Sequence, residues 1–446
     1  MKRKSFDLEK IFTFENVEWA YHKVCKNCRS NSKKTKFTYF LNSNIFDIYN
    51  KLKNFNYEFS RYTIFIIKDP KYRVIMSDTI YDKIVNYLVA YRILIPALSP
   101  SLIDQNVATR EGMGASKAYY YFEKYANTIK SNGNVYVLKV DIKKYFYNIN
   151  HLVLMNLLKK YIKNDDVLKL LYNIISQTNN DYINRNINYL KQKVIESLYY
   201  KNISLNEKNN LIQKINEVPI YNYGKGLSIG NVCSQILAVF YLSEFDHYLK
   251  EELKCKYYIR YADDIIILSN DKLFLKKVFY LINIKLKEYD LSINPKSNLY
   301  KLNNSFTFLG RTYYIKNNKL LFSCRSVTYK VIIKKLNYLR KEDYIKYYAS
   351  KISYRGYLKK DIYSLKEEYE FLNTKYNNVI IKEFIKGYGY VIYSNVSDDL
   401  IKSALSISGI CTVNAYNFIS ILNYLERNNL KYIYLEKNKI NFKYVS

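Results

Sequence analysis

Asp263 and Asp264 stand side by side between two short apolar runs, Tyr-Tyr-Ile-Arg-Tyr-Ala before them and Ile-Ile-Ile-Leu after. That pattern predicts a β-hairpin with two carboxylates at its tip. Like charges so close raise each other's pKa and cost stability unless a cation sits between them. Taken alone the pair is ordinary, because turns recruit aspartate for hydrogen bonding. A third acid changes the reading: Asp141 ends another β-branched run, residues 134–142, and opens Asp-Ile-Lys-Lys-Tyr-Phe. If the two strands pair, three carboxylates converge. Hard divalent cations such as magnesium take oxygen ligands, and two of them can activate a hydroxyl on one side and stabilise a leaving pyrophosphate on the other.

The elements that must position these acids can be sketched from periodicity. Ile80, Ile84, Tyr87, Leu88, Tyr91 and Leu94 recur at helical spacing, and Pro96 and Pro100 close that segment. His151 to Tyr161 reads as a helix following the Asp141 strand. Residues 177–221 are polar, asparagine-rich and weakly periodic, which predicts an insertion forming a surface excursion. Residues 327–372 are basic and helical in pattern. Beyond them strand-like stretches (378–394, 431–435) alternate with helical ones (397–408, 415–427), as in a small separate α/β domain.

Composition limits the partners. The chain has 446 residues, 49% of them hydrophobic, enough for a sizeable core in two or three domains. Lysine and arginine total 71 against 39 acids, a formal net charge of +32. An excess spread along the whole chain points to a polyanion, nucleic acid before an anionic membrane, since it is not packed onto one amphipathic helix. The 52 tyrosines are what AT-rich coding produces, although rings beside cations also suit single-stranded nucleic acid. Of the six cysteines only Cys25 and Cys28 are close, half of a zinc spacing with no second pair, so free thiols are expected. The basic start lacks the apolar stretch of a signal peptide, and no run is long enough to span a bilayer. A soluble, cytoplasmic protein without membrane partners is the expectation.

Tyr261-Ala262-Asp263-Asp264, with Asp141-Ile142-Lys143-Lys144-Tyr145-Phe146 upstream, resembles the palm of the reverse transcriptase family. With the further motifs the resemblance covers about residues 70 to 360. It implies that Asp141, Asp263 and Asp264, helped by the Ile142 carbonyl, hold two magnesium ions, with manganese as an alternative. It places Phe146 at the sugar gate, where a ring under the sugar collides with a 2′-hydroxyl and so favours deoxynucleotides. Tyr145 is the neighbour that could take that place.

Gly226 to Gln235 resembles the next family motif and assigns Gly230, Ser234 and Gln235 to the template and incoming nucleotide. Many relatives carry glutamine and proline where this chain has Ile229 and Gln235. The latter pattern is similar to enzymes of diversity-generating retroelements and phage-defence or abortive-infection systems, and in the first of these it accompanies error-prone copying. Lys71, Arg73 and Arg110 resemble the fingers residues that grip the triphosphate, a task for which a guanidinium fork is suited. Lys296 matches a lysine that protonates departing pyrophosphate. Phe308-Leu309-Gly310 resembles the primer grip, and the stretch from Val327 through Tyr354-Arg355-Gly356 the thumb.

The expected fold is therefore an α/β (α+β) right hand. Residues 1–130 form an N-terminal extension and fingers, and 131–320 a palm of antiparallel sheet and helices. Residues 321–375 form a helical thumb, and 376–446 a small α/β accessory domain. The expected activity is RNA-directed DNA polymerisation from dNTPs on an RNA template with a DNA or RNA primer, in a bacterial retroelement or anti-phage system. A structured non-coding RNA and a small basic accessory protein are candidate partners. Two alternatives stand beside it: template-independent or protein-primed synthesis, and a non-catalytic RNA-binding protein that kept the fold. An intron maturase is disfavoured by Ile229 and Gln235, and a retron enzyme by the lack of that family's Asn-Ala-x-x-His and Val-Thr-Gly elements.

Overall fold

The computed structural model describes residues 3–342 except 29, 30, 69, 70, 201 and 325. It also describes residues 346, 347, 350, 351, 354, 423 and 427 and five strands between 379 and 441. The chain divides into two units, residues 1–306 with 314–320, and residues 307–313 with 321–446. Among the described residues no helix is long and apolar enough to cross a membrane.

Near its start, after a helical turn at Leu8–Ile11, the first unit carries helices α1 (Phe14–Asn27) and α2 (Leu41–Lys53), with the short helix Asn31–Tyr39 between them. Thr13 caps α1 by accepting from the Asn16 amide, and α2 buries Ile45, Ile48 and Leu52. An antiparallel hairpin follows, β1 (Thr63–Ile67) and β2 (Arg73–Ser77), in the register Thr63↔Ser77. Thr79 then caps α3 (Ile80–Val89), whose Ile80, Ile84 and Leu88 enter the core as their spacing predicts. The helical path continues to Leu98 through a π-turn at Ala90–Leu94. There Tyr91 turns outward and stacks on Tyr87 instead of joining the buried face.

After α4 (Ala115–Ile129) comes the four-stranded sheet that carries the acids. Its strands are β3 (Tyr136–Asp141), β4 (Tyr257–Tyr261), β5 (Asp264–Ser269) and β6 (Asn298–Lys301), in the order β4-β5-β3-β6 with every pair antiparallel. Between β3 and β4 run α5 (His151–Lys159), α6 (Asp165–Ser176), α7 (Asp181–Tyr199), α8 (Leu205–Asn216) and α9 (Val232–Tyr241). Helix α10 (Lys272–Glu288) follows β5 and packs on the sheet.

The expectation of a surface excursion at 177–221 is corrected. That segment forms two helices, and Ile183 and Ile187 of α7, with Val218 and Tyr221, make a separate small core with Tyr62, Val74 and Met76 of the β1–β2 region. Its asparagines and lysines lie on the outer face, so the apolar stripe is narrow and its period faint. The Tyr182 hydroxyl accepts the Tyr62 amide across this contact (2.9 Å).

The chain passes from the first unit to the second at a three-stranded sheet, β7 (Phe306–Phe308), β8 (Arg311–Lys316) and β9 (Lys319–Cys324). The second unit continues with α11 (Ser326–Glu342). It ends in a five-stranded sheet ordered β12-β11-β10-β13-β14, from β10 (Val379–Ile385), β11 (Gly389–Ser394), β12 (Gly409–Asn414), β13 (Tyr432–Glu436) and β14 (Lys439–Asn441). Only β10 and β13 pair in parallel. Apart from residues 423 and 427, the helical stretches expected at 397–408 and 415–427 lie outside the described residues, as does Arg355-Gly356.

Candidate active site

Strand pairing gathers the three acids. β4 and β5 join through Ala262 and Asp263, with Tyr261 opposite Asp264, and Ala262 takes a left-handed φ of 55° at the tip. β3 lies against β5 with Asp141 directly opposite Asp264. The Ile142 amide reaches the Asp263 carbonyl (3.4 Å), tying the end of β3 to the hairpin turn. On its other side Asp141 is held by the loop that carries Lys296. The Asn294 amide donates to the Asp141 carbonyl (2.7 Å), and the Asp141 amide donates to Ser297 Oγ (2.9 Å).

The electrostatics are those of crowded acids. Burial first, and then the charge of Asp264, push the Asp263 carboxyl up to about 6, against the field of Arg73. Burial and then Asp264 also raise Asp141, opposed by Lys139, Lys71 and Lys296. Lys71, Arg73 and Lys296 thus bear on the carboxylates. Lys139 was not anticipated; two residues before Asp141 on the same strand face, its ammonium lies 3.4 Å from Asp264.

Three carboxylates gathered here, with Asp141 and Asp263 raised by burial and by Asp264, suit a divalent cation in donor type and in charge. Their present rotamers do not close around one point. Among the described residues no group of three His, Cys, Asp or Glu side chains could hold a metal ion as placed.

The hairpin tip rests on a buried ion pair that sequence reasoning missed. Arg260 and Asp246 are both fully buried. Arg260 Nε and Nη2 donate to the two Asp246 oxygens at 2.7 Å each. Arg260 Nη1 donates to the Ala262 carbonyl (3.1 Å), beneath the strained residue that precedes Asp263. Tyr258 and Asn106 donate to the same carboxylate. The available signal was an arginine inside an otherwise apolar strand, which needs a partner if buried.

Arg110 is placed differently from expectation. Its guanidinium donates to the Ile103 and Asn106 carbonyls (2.7 and 2.9 Å), bracing a loop whose Val107 amide bonds the Arg260 carbonyl. This gives it a scaffolding contact near β4 through one nitrogen of the guanidinium. Ser234 lies in the interior. It is buried and shares a hydrogen bond with Ser228 (2.9 Å), so its hydroxyl faces the interior. Gln235 is exposed and, with Gly230, Asp78, Lys83 and Asn86, borders a cavity of about 220 Å³.

Both motif glycines answer to protein contacts. A Cβ on Gly226 would meet the Tyr221 ring at 2.5 Å, and one on Gly230, at φ +127°, the Met76 carbonyl at 2.6 Å. The Ile229 carbonyl accepts the Met76 amide (2.9 Å), so this loop is stitched to β2. Of the two ring candidates, Tyr145 is core and donates to the Ala238 carbonyl, whereas Phe146 is half-buried at the core margin. Phe308, Leu309 and Gly310 form the β7–β8 turn in the second unit, with positive φ at Leu309 and Gly310 (45° and 86°) and Phe308 buried.

Comparison with known proteins adds the following. The family model for reverse transcriptase (RNA-dependent DNA polymerase) matches residues 66–313. The COX1/OXI3 intron 2 protein of Saccharomyces cerevisiae is 31% identical over 202 residues, 39% of this chain and 23% of that protein. The match therefore spans under a quarter of that relative's length. Among solved structures, apo telomerase from Candida tropicalis, truncated from the C-terminal domain, aligns at TM-score 0.39 and 15% identity over 59% of this chain and 55% of that one. Telomerase from Candida albicans, in complex with a fragment of telomeric RNA, aligns at TM-score 0.39 and 14% identity over 72% and 60%.

Proposed function

Because the chain belongs to the reverse transcriptase (RNA-dependent DNA polymerase) family, whose model it matches over more than half its 446 residues, we propose that it is an RNA-directed DNA polymerase. It would extend a primer 3′-hydroxyl with dNTPs on an RNA template. The observation that carries this reading is the β3–β5 register, which sets Asp141 opposite Asp264 beside the Asp263 turn.

Asp141, Asp263 and Asp264, with the Ile142 carbonyl, would hold magnesium or manganese ions, whose chemistry there is to activate the hydroxyl and neutralise the leaving pyrophosphate. Lys71 and Arg73, beside and on β2 respectively, would meet the triphosphate, where fixed cationic donors stabilise charge that develops as the bond breaks. Lys296, on the loop fastened to Asp141, would protonate the leaving group. Phe146 would lie under the sugar and exclude a 2′-hydroxyl. The turn at Phe308, Leu309 and Gly310 would press on the primer.

Ile229 and Gln235 favour a retroelement or anti-phage context with error-prone copying, an RNA partner and an accessory protein. A second context, an intron-encoded enzyme, is favoured by the intron 2 relative.

The test is extension of a primed RNA template by purified protein with magnesium and dNTPs, followed by sequencing of the product. Template-complementary DNA is expected, lost by several orders of magnitude in Asp263→Asn/Asp264→Asn, with fewer errors in Ile229→Gln. Product without complementarity would support untemplated synthesis instead. Absence of product despite RNA binding would refute the polymerase reading.

A further inference from the structure

A cavity of about 820 Å³ opens between α5, α6 and the turn Tyr223–Lys225. This volume is typical of ligand sites, and no residue assigned above to metal, nucleotide or primer lines it. Its apolar wall includes Leu152 and Tyr223, which are 70% and 85% exposed, and Tyr172. The two tyrosine rings, left this open, are poor core and good stacking platforms.

The lining carries more lysine than acid, although acids outside it offset two of the three lysines. Lys159, Lys169 and Lys225 line the cavity against a single acid, Asp165. Lys225 is neutralised by Asp290 at 2.6 Å and Lys169 lies 3.6 Å from Asp166, whereas Lys159 has no ion-pair partner among the described residues.

His151, also on the wall, is incomplete. Its Nε2 sits 2.7 Å from the Gly226 carbonyl, which can only accept, so Nε2 carries the hydrogen. Burial lowers the imidazole pKa and keeps the ring neutral. Nδ1 is therefore a bare acceptor, buried and without a hydrogen-bond partner among the described residues.

We propose that this cavity is a second nucleic-acid site that holds one or two unpaired nucleotides of a single-stranded RNA. The bases stack on Tyr223 and Tyr172, and the phosphates lie toward Lys159 and Lys169. Aromatic faces beside uncompensated lysine are the combination that binds single strands without sequence preference. An apolar protein helix would use the same wall but gain nothing from the lysines. The site also connects to the motif loop: Gly226 and Leu227 donate their amides to the Ile149 and Phe146 carbonyls. RNA anchored here sits behind the segment that carries Phe146, outside the cleft.

The experiment is fluorescence anisotropy of a labelled oligoadenylate of about eight nucleotides, added to the full chain whose cleft is saturated with unlabelled RNA–DNA primer–template. Residual binding is expected, weakened about tenfold or more in Tyr172→Ala/Tyr223→Ala and retained in Tyr172→Phe/Tyr223→Phe. Its salt slope should fall by about one in Lys159→Gln, and Asp263→Asn/Asp264→Asn should leave it unchanged. Primer extension by the tyrosine variants reports that they are folded and reads the polymerase proposal separately. Loss of all binding once the cleft is filled, or equal affinity in the double alanine variant, overturns the proposal and leaves the cavity to another class of partner.

Discussion

Arg260 shows how a single residue can govern a site without reaching it. Its guanidinium bridges Asp246 and the Ala262 carbonyl with no solvent access, so it holds both an ion pair and the turn before Asp263. Removing one member of such a pair strands a buried charge, which costs about 3–5 kcal/mol. Arg260→Ala and Asp246→Ala should each lower unfolding stability by that amount in urea titrations. The double variant should cost less than the sum, and additivity would rule out coupling. Asp78 makes a pH-dependent case beside Gly230 and Gln235. Burial and then Asp82 push its carboxyl up to about 7, and its Oδ1 has no hydrogen-bond partner among the described residues. The folded state holds this proton more tightly than the unfolded chain, so the group's cost appears as pH rises from about 4 to about 7. Asp78→Asn should thus match wild type near the acidic end and become the more stable protein above neutrality. A stability difference that is flat with pH would show the proton is not held.

At the scale of elements, the inserted helices matter more than their composition suggests. Helix α7 supplies Ile183 and Ile187, both fully buried, to the core beneath β1 and β2, the hairpin bearing Arg73 and adjoining Lys71. Truncating Ile187 to alanine should cost about 2–5 kcal/mol locally. The expected readout is faster hydrogen exchange in β1 and β2 and a raised KM for dNTPs, with kcat changed less. Unchanged exchange there would mean the helices do not brace the hairpin. The helix from Ile80 was legible because its apolar residues keep one phase for several turns. The inserted pair was not, because its apolar residues are few and their partners lie about 120 residues earlier in the chain.

For the molecule as a whole, net charge and active-site motifs both point to nucleic acid, and the charge is not confined to one cleft. Lys159, Lys169 and Lys225 surround a cavity that shares its motif loop with the active site but none of the assigned catalytic residues. By itself the sequence located the three acids, the strand-like runs that carry them, the family resemblance and the excess of positive charge, because adjacency, strand pattern and composition are local or additive properties. Tertiary structure alone decided that Asp141 faces Asp264, that Arg260 is buried, that Arg110 braces a loop and that Ser234 points inward. It also decided that the asparagine-rich insertion supports β1 and β2. These outcomes depend on which distant segments meet and on what water can reach, and neither follows from neighbours along the chain.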